Sequence, residues 1–206
     1  MDDVSDSCDA NKLLPQIINQ KITEICIYTD KAYYIPIKEN TLDELKEILE
    51  DETIEKVSID FSQKYIIFRQ EGIKLNNLSF DAKIAAYLLD PTNNKLSFED
   101  IVENQLDIDI NDYLKKPEEK QVQINLFDAL DAQQEKSEKE EQYKKEKLCL
   151  KTYLLSRLEK EMTKKLEKIN SLELFKNIEM PTVEVLSEMQ WNGMYANKEE
   201  LERFGN

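Results

Sequence analysis

The sequence has no histidine and only three glycines among its 206 residues. Without histidine, Ser–His and Cys–His nucleophile systems, histidine acid–base catalysis and nearly all zinc sites are excluded. Gly72, Gly193 and Gly205 are too few and too scattered for a phosphate-binding P-loop or a dinucleotide fingerprint. If this chain carries out chemistry, carboxylates that hold divalent metal ions are almost the only means left to it.

Long apolar runs and paired cysteines are also missing. No segment approaches the roughly 20 apolar residues of a membrane-spanning helix, and the acidic start MDDVSD lacks the character of a signal peptide. Cys8, Cys26 and Cys149 are too far apart for a C-x-x-C site, which indicates reduced cytosolic thiols. We therefore expect a cytoplasmic protein with no membrane partner.

The charge is strongly acidic overall but uneven along the chain. A net charge of −15 disfavours tight, sequence-independent binding to nucleic acid. Residues 139–168 nevertheless carry ten Lys or Arg against six Glu. A solvated helix face with Glu–Lys pairs one turn apart explains this segment, and so does weak contact with DNA. The candidate DNA-binding residues are Lys144, Lys145, Lys151 and Arg157.

The first half of the chain alternates between patterns of strands and helices, which predicts an α/β fold with helices packed on a sheet. Residues 22–29 and 32–37 are rich in β-branched and aromatic residues and predict a hairpin, and 55–59 predicts a third strand. Helices are predicted over about 9–20, 41–50 and 61–71 and over a block ending at Pro91. The predicted helix starts are a Thr41–Glu44 capping box, Asp60, and Ser79 or Asp81.

The second half is more polar and predicts mainly helices. A helix is predicted over 96–106, with Ser97 and Asp100 able to cap it, followed by irregular polar chain over 105–137. A long charged helix is predicted from Ser137 to about Lys168. Its apolar residues are too few for a coiled coil, so we expect that stripe to pack on the domain. The stripe consists of Leu155, Leu158, Met162, Leu166 and Ile169.

Two segments resemble family A DNA polymerases of the bacterial DNA polymerase I type. The block SFDAKIAAYLLDP (79–91) is similar to the F-D-x-x-x-A-A-Y-L-L-D-P pattern of that family's 3′–5′ exonuclease domain. Residues 178–201 are similar to the I-E-x-P, V-L-x-E-M and N-G series that starts its polymerase domain, and read as a helix, a turn at Gly193 and a helix capped by Asn197. The two segments occur in the family's order, and the resemblance covers roughly 20–205.

The resemblance implies an RNase H-like fold and a DNA-editing reaction at two metal ions held by four acidic side chains. This sequence departs from that pattern. No Asp-x-Glu triplet and no Tyr-x-x-x-Asp motif occurs anywhere in the chain. Alignment on KVSIDFSQKYIIF places Lys64 where the family has a metal-binding aspartate. The best match to the family's third motif, Tyr-x-x-x-Asp, begins at Tyr143 and places Lys147 at the position of the motif's aspartate. A lysine ~4 Å from a divalent ion is repelled by roughly 8 kcal/mol at an effective dielectric constant near 20.

We therefore expect a catalytically degenerate exonuclease-like domain over 1–170, followed by the first helices of a polymerase domain over 171–206. No catalytic or metal-binding residue is assigned. The expected role is structural support and spacing for the polymerase domain of a longer, nucleoid-associated protein that would act in DNA replication and repair. Mg²⁺ is expected only for that polymerase domain, and DNA is reached mainly through it.

Two alternatives stay open from the sequence alone. One is an active metal-dependent 3′–5′ exonuclease that uses displaced acids such as Asp60 and Asp81. The other is a helical protein-interaction module built around 137–169.

Overall fold

The computed structural model describes residues 21–114, 128–193 and 203–205, with 128–137 described as backbone only. The described strands are β1 (Glu24–Tyr28), β2 (Ala32–Pro36), β3 (Lys56–Ser58) and β4 (Leu78–Asp81). The first helices are α1 (Thr41–Glu50), α2 (Phe61–Gln70), α3 (Ala82–Leu89), α4 (Phe98–Leu106) and α5 (Ile110–Tyr113). They are followed by α6 (Asp128–Lys168), α7 (Leu172–Leu174), a π-helical turn (Phe175–Glu179) and α8 (Met180–Asn192). The predicted helix over 9–20 and the Asn197 cap lie outside the described residues.

The described strands form two pairs instead of one continuous sheet. β1 and β2 form the predicted antiparallel hairpin, with Cys26 opposite Tyr34. β3 pairs in parallel with β4, so that Ser58 lies opposite Asp81. β4 was not predicted, because its residues had been assigned to the start of the next helix. A buried strand this short shows no alternation of polar and apolar residues, so only its pairing with β3 defines it.

The main core lies between α3, α4 and the second half of α6. Ala82, Ala85 and Ala86 are buried and small, which lets α6 approach α3 closely. The predicted packing of the α6 stripe is confirmed, since Leu158, Met162 and Leu166 are fully buried, together with Leu154. Leu155 is only partly buried. Ile169 is 50% exposed because α6 ends just before it, where Asn170 takes a left-handed φ of 56°.

A smaller core joins α8 to α2. Phe61 and Tyr65 of α2 are buried together with Leu75 and with Val183 of α8. The predicted 61–71 helix is confirmed as α2. The helix stops before Gly72, whose φ of +74° only glycine adopts freely. The C-terminal helical segment therefore packs directly on the α/β part of the chain.

The starts of α1 and α4 test two of the predicted caps, one of which is wrong and one of which is confirmed. The Thr41–Glu44 capping box is wrong, because the residue before α1, Asn40, is left-handed and Thr41 Oγ1 accepts the Lys38 N–H at 3.1 Å instead. The Ser97 cap of α4 is confirmed, since Ser97 Oγ accepts the Asp100 N–H.

The irregular prediction for 105–137 is wrong where α5 and the first turns of α6 are helical. Residues 128–136 contain no Gly or Pro, and their Ala, Leu, Gln, Glu and Lys residues favour a helix.

No helix within the described ranges is both long enough and apolar enough to cross a membrane.

Candidate functional site

The candidate site lies where β3 and β4 end and α2 and α3 begin. Because the two strands are parallel, their carboxyl ends meet at one edge, and Ser58 lies beside Asp81. Asp60 follows β3 directly, and Lys64 lies one turn into α2. Lys83 lies in the first turn of α3. The fold thus brings two carboxylates and two ammonium groups together from segments about twenty residues apart, and we refer to these four side chains as the strand-end cluster.

Asp81 is a buried carboxylate that caps two helices. It is 2% exposed. Its Oδ1 accepts the N–H groups of Lys83 at 2.8 Å and Ile84 at 3.4 Å, as predicted for a cap of α3. The same carboxylate also accepts the N–H of Phe61 at 2.7 Å and of Asp60 at 3.3 Å, at the start of α2. Both oxygens of the Asp81 carboxylate therefore accept hydrogen bonds from backbone donors.

Asp60 has a different role from the predicted one. It stands before α2 in a left-handed conformation, with φ 55°, and its side chain makes no capping hydrogen bond. The prediction that Asp60 caps α2 is therefore wrong, because the Asp81 carboxylate takes that place. The Asp60 carboxylate instead forms an ion pair with Lys83, with 2.9 Å between Oδ2 and Nζ.

Lys64 places a positive charge inside the cluster. Its ammonium group donates a hydrogen bond to the carbonyl oxygen of Ile59, at the end of β3. Burial lowers the pKa of the Lys64 ammonium group, and attraction to Asp81 and Asp60 opposes this shift. The Lys64 ammonium group is thus a positive charge of the protein itself that lies near the Asp60 and Asp81 carboxylates.

These residues do not fit a divalent metal ion. Across residues 21–114, 138–193 and 203–205, no group of three or more Asp, Glu or Cys side chains could hold one. In the strand-end cluster, the oxygens of Asp81 face N–H donors and that of Asp60 faces Lys83. A metal ion would have to displace these donors and also withstand the nearby Lys64 ammonium group.

Comparison with known proteins shows which family this chain resembles. Residues 15–115 match the family described as DNA polymerase I, ribonuclease H-like domain. This region is similar to the ribonuclease H-like domain of DNA polymerase I. The chain is also 27% identical over 175 residues to DNA polymerase I of Bacillus subtilis (strain 168), which covers 84% of this chain. It spans only 18% of the length of that relative.

A solved structure shares the fold of the ribonuclease H-like domain. It is titled "POL domain of Pol1 from M. smegmatis complex with DNA primer-template and dNTP". The TM-score is 0.68 at 18% sequence identity, and the match covers 89% of this chain and 28% of the solved one. The predicted α/β, RNase H-like fold class with a long helix towards the C-terminus is confirmed.

The lysine predicted at the third motif, Lys147, lies outside the strand-end cluster. Lys147 is on α6, and its ammonium group is 3.9 Å from Glu99 of α4. Lys151, one turn further along α6, pairs with the same carboxylate at 2.7 Å. The strand-end cluster therefore contains Lys64, whereas Lys147 is part of a contact between α4 and α6.

The four candidate DNA contacts do not form one patch. Lys144 and Lys151 are two helical turns apart and share a face of α6, while Lys145 and Arg157 lie on other faces. Lys151 is already paired with Glu99, and Lys145 lies over the ring of Tyr34 at 5.1 Å. Two of the four positive charges thus serve contacts within the domain.

The polar contact between α2 and α8 was not predicted from the sequence. Tyr65 donates its hydroxyl hydrogen to Glu188, and the Arg69 guanidinium lies 3.6 Å from the same carboxylate. Ser187 donates to Ser62 at 3.0 Å. Burial and the hydrogen bond to Glu188 raise the pKa of Tyr65 to about 12. Glu188 stands in the quoted V-L-x-E-M series, but its partners lie more than a hundred residues earlier, so no local pattern identifies them.

Proposed function

We propose that this chain is a catalytically inactive exonuclease-like domain that supports and spaces the polymerase domain of a DNA polymerase I-type protein. The observation that carries the proposal is the Lys64 ammonium group, which is bound to the Ile59 carbonyl oxygen beside Asp60 and Asp81. The resemblance to the family places a metal-binding aspartate at the position of Lys64. An internal cation thus stands where the reaction needs a carboxylate.

The energetics favour inactivity. Repulsion between Lys64 and a divalent ion ~4 Å away amounts to roughly 8 kcal/mol at an effective dielectric constant near 20. Binding through Asp81 would also leave buried N–H groups of α2 and α3 without an acceptor, at about 1–3 kcal/mol each. The remaining acid, Asp60, is paired with Lys83. All three effects oppose the binding of a metal ion. Asp60 and Asp81 are therefore poor substitutes for the family's metal ligands.

The supporting role is favoured by the apolar outer face of α8. Val185 and Met189 lie one helical turn apart and are 58% and 61% exposed, and Ile178 precedes them on the same side at 57%. Contiguous exposed apolar residues are typical of an interaction surface. We propose that the rest of the polymerase domain, which this segment begins, covers this face, while the opposite side of α8 packs on α2 and so joins the two domains.

The predicted division of the chain is part of this proposal. The relatives named DNA polymerase I and POL domain are several times longer than this chain. The proposed boundary lies between 170 and 171, where α6 has ended at the left-handed Asn170, with 171–206 as the start of the polymerase domain. DNA synthesis in replication and repair, with Mg²⁺, would be carried out by that domain in the cytoplasm.

The test of inactivity is a single-turnover assay of the pure chain on a 5′-labelled single strand with Mg²⁺ or Mn²⁺. We expect no shortening from the 3′ end, while an active 3′–5′ exonuclease digests the strand under the same conditions. The double variant Lys64→Asp/Lys147→Asp should be inactive too, because the chain has no Asp-x-Glu motif to hold both metal ions. Metal-dependent digestion that Asp60→Ala abolishes would establish the alternative, an active nuclease with relocated ligands.

The test of support compares two sets of variants in a protein that joins this chain to a family A polymerase domain. Val185→Gln/Met189→Gln changes the exposed face of α8, and Ile48→Gln changes an exposed residue of α1 as a matched control. In the isolated chain, each set should change the free energy of unfolding by no more than about 0.5 kcal/mol. In the joined protein, only the α8 variant should lower the unfolding temperature. Equal unfolding temperatures for both sets would show that the polymerase domain leaves this face uncovered.

A further inference from the structure

Two cysteines that are 123 residues apart in sequence face each other across the contact between β1 and α6. Cys26 Sγ is 3.7 Å from Cys149 Sγ, with the Cys26 thiol as the donor. Both side chains are half-buried and both thiols are free. The sulfur atoms of a disulfide are about 2.05 Å apart, so small side-chain rotations would bring these two within bonding distance.

The neighbouring contacts hold the two cysteines in register. On β1, Tyr28 lies two residues after Cys26 and so points to the same face, and its ring packs edge-on against Tyr153, with 5.6 Å between centroids. Tyr153 follows Cys149 by one turn of α6. One turn before Cys149, Lys145 lies over Tyr34, the residue opposite Cys26 in the hairpin. The sulfur pair is thus the middle of three successive contacts, which fixes the spacing between strand and helix.

We propose that Cys26 and Cys149 form a redox-modification site, a dithiol that a small-molecule disulfide oxidises to an internal disulfide bond. This inference is independent of the proposed role in supporting a polymerase domain. It gives the chain a reversible covalent link between the β1–β2 hairpin and α6.

The reaction balances with a low-molecular-weight disulfide as the oxidant. One cysteine thiolate attacks the oxidant, forms a mixed disulfide and releases one small thiolate. The second cysteine thiolate then attacks the cysteine sulfur of the mixed disulfide, which forms the Cys26–Cys149 bond and releases the second small thiolate. The protein loses two electrons and two protons, and the oxidant takes up both electrons and both protons to become two thiols. Burial raises the pKa of the Cys26 thiol, so its thiolate is scarce near neutral pH and the exchange is slow.

The consequence of oxidation is a more stable fold. A bond between residues this far apart closes a long loop in the unfolded chain and lowers its entropy. Reduction by an excess of small thiols reverses the step. In a reducing compartment the pair stays as thiols, and an oxidising challenge closes it.

The experiment uses the full chain with Cys8→Ser, which leaves the two cysteines of the site as the only thiols. Oxidised glutathione is added, and free thiols are counted after denaturation. We expect the loss of both thiols, a monomer that migrates faster on a non-reducing gel, and a tryptic peptide that joins residue 26 to residue 149 by mass spectrometry. The Tm should rise by about 5–15 °C and fall back on addition of dithiothreitol.

Cys8→Ser/Cys149→Ser is the matched control. It should show no rise in Tm with oxidised glutathione, although its remaining thiol can form a mixed disulfide. Circular dichroism before oxidation establishes that each variant is folded, and peptide mapping of the oxidised natural sequence gives a second measurement that needs no variant. Two remaining free thiols, glutathione adducts without an internal link, or dimers alone would each overturn the proposal.

Discussion

Asp81 accepts hydrogen bonds from four backbone N–H groups, two at the start of α2 and two at the start of α3. The first turn of a helix has N–H groups without intrahelical partners, and a carboxylate there also benefits from the helix dipole. Asp81 serves two helices at once, in a site from which water is excluded. This capping accounts for an aspartate in an otherwise apolar segment without any catalytic role.

The first prediction concerns the substitution Asp81→Ala. It should lower the free energy of unfolding by about 2–4 kcal/mol, because it removes two caps and leaves buried donors without an acceptor. Asp81→Asn keeps one acceptor oxygen, so its free energy of unfolding should lie between those of the natural chain and Asp81→Ala. Urea denaturation measures the differences. Ser97→Ala, which removes the single cap of α4, is the matched control and should cost about 1 kcal/mol. If Asp81→Ala costs no more than Ser97→Ala, the double cap is not a significant source of stability.

Only part of this site could be predicted from single residues. The cap of α3 by Asp81 is local, because its acceptor and donors lie within three residues, and the sequence pattern finds it. The cap of α2 is not local, since its donor lies twenty residues before the acceptor and depends on the pairing of β3 with β4. The same pairing explains why the Asp60 prediction is wrong. The resemblance to the family identified Lys64 as a site residue. The hydrogen bond from Lys64 to the Ile59 carbonyl oxygen could not be predicted from the sequence.

The contact between α2 and α8 depends on a buried hydroxyl group and an exposed carboxylate. Burial of Tyr65 and its hydrogen bond to Glu188 raise the pKa of Tyr65 to about 12, and the same hydrogen bond lowers the pKa of Glu188. A tyrosine in the unfolded chain ionises near pH 10. Between these two values the folded state holds a proton that the unfolded state has released. The stability that this provides is complete below pH 10 and is lost as the pH rises towards 12.

The second prediction follows for Tyr65→Phe. The natural chain should lose stability between pH 10 and 12, and the variant should lose less, because its side chain at this position cannot ionise. Urea denaturation at a series of alkaline pH values measures the slope. Tyr113→Phe, at an exposed position, is the control and should leave the slope unchanged. Tyr34, whose pKa is also raised to about 12 through Glu24, is present in both variants and cancels in the comparison. Identical slopes for Tyr65→Phe and the natural chain would contradict the assignment.

At the scale of elements, the sequence predicted those with strong local patterns. The hairpin was found from its β-branched and aromatic residues, and α4 from its serine cap. β4 was missed because three or four buried residues look the same in a strand as at the start of a helix. The start of α6 was placed too late because residues 128–136 have too few apolar residues to show a helical periodicity, although they favour a helix. Apolar periodicity thus does not detect β4, which is defined by its pairing with β3. It also does not detect the first turns of α6, which only helix propensity indicates.

The charge of the whole molecule opposes its contact with nucleic acid. The net charge is −15, and the lysines of α6 point in several directions along a helix that also carries glutamates. Lys151 is neutralised by Glu99, and Lys145 is held over Tyr34. A phosphate backbone needs several positive charges along one path, since affinity rises with each phosphate that is neutralised. The described lysines of α6 offer no such path.

The last prediction therefore concerns DNA binding by the isolated chain. A fluorescently labelled single strand of about 20 nucleotides should bind with a Kd weaker than about 10⁻⁵ M at physiological salt, within the range of purely electrostatic binding. Any binding at low salt should disappear steeply as salt is added. Fluorescence anisotropy over a range of NaCl concentrations measures both. Lys144→Gln/Lys151→Gln, which removes the two charges on one face of α6, should weaken the low-salt binding several-fold, whereas Lys46→Gln on α1 should change it little. Binding in the nanomolar range at physiological salt, insensitive to these substitutions, would show that the chain has a nucleic-acid site that its charge distribution does not reveal.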